Sequence, residues 1–302
     1  MTTLIRYIKD YYNQSNKLLI LLISLFTALL VFINYQYGLD EAIRKNNFFV
    51  KLFCWSAVFG VSFIIPYVLT SYIRSGLSFR NRQFSGLLLI AVFLFSLKIS
   101  ADFHFQFSAD PGWNNYWNHI IYWPLLLLIL APLLIIVWRI FHRDEPFYGL
   151  TLKGINWKPY WLMLLIMIPL IVLAATQPDF QAVYPKMRSV EGLMNDARLQ
   201  WWHKLLFELS YGTDFITIEF FFRGFLVLAF VKWAGKDVVL PMACFYCSIH
   251  FGKPVGECIS SYFGGLLLGI VVYNTRSVFG GLMVHLGIAW MMEAAGWVVG
   301  SI

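Results

Sequence analysis

Charge is what this sequence has least of: Asp, Glu, Lys and Arg make up 13% of its 302 residues, against 59% hydrophobic ones. A soluble domain carries about a quarter charged residues to keep its surface wet, so a water-soluble globular fold is excluded and lipid is expected to be the main solvent. Gly-rich phosphate loops and basic-aromatic patches are also missing, which sets nucleotide and nucleic-acid binding aside. The net charge of +7 reads instead as membrane topology and affinity for anionic headgroups. Cysteine is sparse, and Cys54, Cys244, Cys247 and Cys258 all fall in or at the ends of apolar stretches, against an extracellular disulfide framework. Cys244-x-x-Cys247 with His250 close behind has the look of a metal or redox motif, although thiols three apart on a helix are more often packing residues. Fixed-period repeats and low-complexity stretches are absent.

What is abundant is the long apolar run. A bilayer core takes about 20 apolar residues per helix. Stretches of that kind cover residues 18–35, 49–72, 84–99, 116–138, 159–176, 205–231, 237–252, 257–274 and 278–300. The expected fold is therefore all-α, a polytopic integral membrane bundle of eight or nine transmembrane helices. The first run continues to Ile33 with no small-residue cleavage site and is expected to remain as an anchor. With the N-terminus inside and Arg223 left out, thirteen Lys and Arg fall on the cytoplasmic side and nine outside, a modest bias that places the N-terminus in the cytoplasm and the protein in a plasma (inner) membrane.

Along the chain, residues 1–176 read as scaffold spans with almost no ionisable group at membrane depth, 177–204 as a polar connection, and 205–302 as the functional core. The connection, with Trp201 and Trp202 at its end, is long for a loop without structure and is a place for a cap or gate. After residue 204, costly residues recur inside the spans: Glu208, Asp214, Glu219, Arg223, His250, His285 and Glu293. Each costs roughly 2.5 to 3.5 kcal/mol at the bilayer centre, so each is expected to face protein or water and is a functional candidate.

Glu219 and Arg223 lie four residues apart, on one helix face, with the acid first, the favoured order for a pair. His250 and His285 come from the following spans. A carboxylate and two imidazoles on three helices can activate water and stabilise an oxyanion, the design of a hydrolase. Each residue also has a plainer reading: Glu219 with Arg223 as a self-neutralising packing pair, either histidine as a hydrogen-bonded bundle residue, and Asp214 as the cap of a helix starting after Gly212-Thr213.

At these residues the last hundred positions resemble the integral-membrane proteases that include the CAAX prenyl endopeptidases and the bacteriocin-processing (Abi) proteins. The family's first motif is two glutamates, three residues and an arginine, often followed by glycine. Glu219, Arg223 and Gly224 match it, with Ile218 in place of the first glutamate. The second motif, an aromatic four residues before a histidine, is matched by Tyr246 and His250. The third, a histidine four residues before an asparagine or aspartate, is matched by His285, with Ala289 in place of the amide. Gly264-Gly265-Leu266-Leu267-Leu268-Gly269 and Asn274-Thr275-Arg276-Ser277 are similar to the family's segment before that last histidine.

The resemblance implies an intramembrane peptidase that cleaves a membrane-associated peptide or protein by Glu/His-assisted attack of water. Glu219, His250 and His285 would be catalytic, with Arg223, Tyr246, Asp214 and Glu293 supporting them. Asp214 lies one turn before Ile218, and Glu293, two turns beyond His285, lies near the same face as Ala289, so each could compensate for one departure. Whether metal takes part stays open: Glu219, His250 and His285 would be the zinc set, yet the His-Glu-x-x-His signature of ordinary zinc proteases is missing, and a metal-free mechanism fits the same residues. Two other readings stay open: a catalytically silent relative acting as scaffold or partner subunit, to which Ile218 and Ala289 point, and a transporter, against which the missing inverted repeats count.

Overall fold

Chain ends and turns set the helix limits before packing does. Asn16 accepts from the Leu18 and Leu19 amides, and Asn81 from those of Gln83 and Phe84, so each starts a helix where its carboxamide replaces a missing backbone acceptor. Gly38 ends the first of these in the left-handed conformation. The computed structural model describes residues 2–73, 77–153, 155–193, 196 and 198–300. In chain order it comprises α1 Thr2–Gln14, α2 Lys17–Tyr37, α3 Leu39–Arg44, α4 Phe48–Ile73, α5 Arg82–Ser100, α6 Pro111–Phe141, α7 Lys158–Ala175, α8 Pro178–Val183, a tight helical stretch Lys186–Leu193, α9 Trp201–Glu219, a wider helix Phe220–Ala229 with i→i+5 bonding, α10 Val231–Ala234, a tight turn Gly235–Val238, α11 Val239–Ser248, α12 Val255–Thr275 and α13 Phe279–Gly300. No strand occurs among the described residues.

Seven of these helices, α2, α4, α5, α6, α7, α12 and α13, are long and apolar enough to cross a membrane. The protein is thus an all-α, polytopic integral membrane protein. The two other expected spans take different forms. Residues 205–231 are divided between α9, which carries Lys204, Glu208, Asp214 and Glu219, and the wider helix; residues 237–252 hold α11, only ten residues long. Arg74, counted among the cytoplasmic cations, lies outside the described residues. The connection 177–204 has structure of its own: Met187, Val190 and Leu193 are buried with Trp113, Tyr116, Ile120 and Phe207.

Two compact units are discontinuous in sequence. One comprises Met1–Ala101, Leu134–Ile155 and Phe220–Phe279, the other Asp102–Leu133, Asn156–Glu219 and Gly280–Ile302. In the first, α11 is buried along its whole length and packs against α12, α4 and α2. A short helix that is apolar all round can be stable only in such a position. Phe245 is its pivot, with its ring 5.0 to 6.1 Å from those of Phe59, Phe63, Phe95, Phe221 and Phe222. Ser62 and Ser248 satisfy each other inside this apolar packing at 3.0 Å. Small residues let α12 approach: a Cβ on Gly269 would stand 2.5 Å from Met242 Cε, and one on Gly265 3.1 Å from Tyr246.

In the second unit α13 is notched in the same way. A Cβ on Gly280 would meet the Tyr160 ring at 2.0 Å, one on Gly287 Leu164 at 2.6 Å, and one on Gly296 the Tyr184-Pro185 backbone at 2.6 Å.

Candidate functional site

The second unit brings two of the expected residues together. Glu219 is the last residue of α9 and His285 the seventh of α13; the His285 Nδ1 donates to Glu219 Oε1 at 3.0 Å. The carboxylate is wholly buried, and the imidazole side chain keeps 14% of its exposure. Because a carboxylate only accepts, the proton of a neutral His285 sits on Nδ1 and its lone pair on Nε2. Phe215, one turn before Glu219, packs edge-on to the imidazole with centroids 4.7 Å apart. Gly281 makes the room: a Cβ there would lie 2.5 Å from Glu219 Oε2. The acid therefore stands behind the imidazole and the imidazole stands in front, the order in which a buried carboxylate orients a general base.

Further along the same two helices the Glu208 and Glu293 side chains come near enough to interact electrostatically. Glu293 Oε2 also accepts from the Lys186 amide at 2.8 Å. Between the two contacts lies an apolar cluster of Tyr211, Phe215 and Ala289, so the residue in the amide's place is buried among rings. The structure thus places Glu293 with Glu208 and Lys186. Asp214 is half-buried in the middle of α9, which corrects the reading of it as a helix cap: the helix begins thirteen residues earlier, at Trp201.

In the first unit, Arg223 is wholly buried in the wider helix, its guanidinium 4.0 Å from the Tyr246 ring centroid. A buried guanidinium over an aromatic face recovers part of its desolvation cost. Tyr246 in turn meets the His250 ring edge-on at 4.8 Å, and its carbonyl accepts from His250 Nδ1 at 2.9 Å. His250, like His285, therefore carries its neutral-form lone pair on Nε2. The aromatic residue four positions before the histidine links arginine and imidazole in one stack, a physical reason for that spacing. Gly224 has a reason as well: a Cβ there would sit 2.9 Å from the Tyr148 carbonyl. Helices with i→i+5 bonding are rare and concentrate at functional sites; this one holds the arginine of the first motif.

Glu219 and Arg223 fall in different units. Sequence reading missed Phe215 as the packing partner of His285; its position four residues before Glu219, on the same face, was the available signal. It also left Glu208 without a partner.

A catalytic zinc takes three protein ligands. Among the described residues no group of three His, Cys, Asp or Glu side chains is placed to hold a metal ion.

An integral membrane protein that buries a carboxylate-imidazole pair between late helices defines the class. Residues 201–291 match the family described as type II CAAX prenyl endopeptidase Rce1-like, a stretch that contains all three motifs. The family resemblance read from the motifs is borne out over those residues. No curated protein and no solved structure matches the chain.

Proposed function

We propose that the chain is an intramembrane endopeptidase that hydrolyses a peptide bond of a membrane-associated substrate by histidine-assisted attack of water. The observation that carries this is the 3.0 Å bond from His285 Nδ1 to the wholly buried Glu219. His285 Nε2 takes a proton from water as its oxygen adds to the scissile carbonyl, while Glu219 holds the ring and stabilises the imidazolium. The same proton then passes to the leaving amine, and the enzyme returns to its starting state. The family resemblance gives water activation to the first histidine, His250, and the oxyanion to the second, His285; the bond to Glu219 favours His285 as the base here, and Tyr246 packs against both the His250 ring and the Arg223 guanidinium. Prenylated partners are not implied by the fold.

One observation favours a second reading, a silent relative that binds a partner helix or peptide. Ile218 and Ala289, at the positions of a family glutamate and amide, are both buried and apolar, and losing an oxyanion donor costs enzymes about 100-fold to 1000-fold. Peptide cleavage in detergent separates the two. Activity in the natural chain, lost in Glu219→Ala and in His250→Ala, supports the peptidase. Activity that appears only when Ile218→Glu and Ala289→Asn are combined supports the silent relative.

A further inference from the structure

All four cysteines are free thiols, and the two that meet are not the C-x-x-C pair. Cys247 lies in the last turn of α11 and Cys258 in the first turn of α12, with Sγ atoms 3.9 Å apart. Each thiol also points at the other's backbone: Cys247 Sγ donates to the Cys258 carbonyl at 3.3 Å and Cys258 Sγ to the Cys247 carbonyl at 3.7 Å. A disulfide would bring the sulfurs from this separation to roughly 2.05 Å. Cys244 is placed differently, packed against Leu19, Ile23 and Leu240.

The two cysteines bracket the turn 249–254, which carries His250. That turn is already held at several points. The Cys247 carbonyl accepts from the His250 amide at 3.0 Å, and Tyr35 donates to the Lys253 carbonyl at 2.6 Å. Gly252, at φ +83°, leaves room for the Asp40 carboxylate, 2.1 Å from where a Cβ would stand. A covalent link between the flanking helices would remove the remaining freedom of this turn.

We propose that Cys247 and Cys258 form a reversible disulfide, made by hydrogen peroxide, that clamps the turn bearing His250. One thiol takes an oxygen from peroxide, the O–O bond breaks, a sulfenic acid forms and water leaves. The second sulfur then attacks the first, the S–S bond forms, and the sulfenic oxygen leaves with the second thiol's proton as another water. Both sulfurs are oxidised and the peroxide is reduced to two waters. With exposures of 1% and 0%, the pair is shielded from a protein disulfide donor, so the oxidant has to be small and uncharged.

The test treats the purified full-length protein in detergent with peroxide, removes the oxidant, denatures, and counts maleimide adducts by intact mass. The expected result is a fall from four adducts to two, restored by dithiothreitol, with a mapped peptide joining Cys247 to Cys258. Cys244→Ser should still lose two thiols, and Cys247→Ser and Cys258→Ser none. Amide hydrogen exchange across 249–254 should slow about tenfold in the oxidised form. Four adducts after peroxide, a link through Cys54 or Cys244, or unchanged exchange in the turn would each overturn the proposal. Peptide cleavage enters none of these measurements, so their outcome stands apart from the peptidase reading.

Discussion

In the first unit, glycines on α12 bring it against α11; in the second, glycines on α13 bring it against α7, α9 and the Tyr184-Pro185 backbone. The fillings differ. Met242, Val239 and Tyr246 occupy the notches of α12, whereas one notch of α13 is occupied by the Glu219 carboxylate, and the α9–α13 contact continues through His285, Glu208 and Glu293. Packing of the first kind gains dispersion and apolar burial at little cost. The second kind gives up stability to desolvate charge, and breaking one partner leaves the other stranded. The contrast shows where stability is concentrated and where chemistry has displaced it.

The sharpest way to break this comparison is Phe245→Ala. It removes the ring at the centre of the α11 packing and should destabilise the protein by about 3 to 5 kcal/mol, measured by thermal or denaturant unfolding in detergent. A loss under about 1 kcal/mol would show that the first unit does not depend on this core. Next comes Gly281→Ala, whose methyl would press on Glu219 Oε2. Cleavage should fall about 10-fold to 100-fold through displacement of the carboxylate. Gly256→Ala is the control, since its Cβ would meet nothing within 4 Å, and should leave the rate unchanged.

The smallest effect is a pH dependence in the first unit. Burial, reinforced by the nearby charge of Lys232, lowers the His142 imidazole from its ordinary 6.5 to about 4. The unfolded chain takes up a proton as pH falls below 6.5, and the folded chain refuses it until about 4. The stability contributed by neutral His142 is therefore complete above 6.5, declines through that window and is gone below it. Melting curves at a series of pH values should show this slope in the natural protein and its loss in His142→Gln. An identical slope in both would assign it to other groups.

Much of this was legible in sequence, because lipid leaves so few ways to satisfy a backbone. Seven expected spans appear within a few residues of their limits, and the ionisable residues of the last hundred positions stand out by their cost alone. Partnership was harder to read. Spacing fixes the helix face on which a side chain lies, not the residue of another helix that meets it. Glu219 was read with Arg223, four residues away, and it also bonds to His285, 66 residues on. Cys247 was read with Cys244 and meets Cys258. The wider helix at Phe220–Ala229 left no trace in periodicity, since a run of apolar residues looks the same at either pitch.

The central claim is that Glu219 and His285 act as one unit. A double-mutant cycle measures it directly: rates of peptide cleavage in proteoliposomes for the natural chain, Glu219→Gln, His285→Gln and the double variant. The account predicts a loss of about 100-fold or more in each single variant and no further loss when the two are combined. Single variants at the natural rate, or losses that multiply in the double variant, would contradict it.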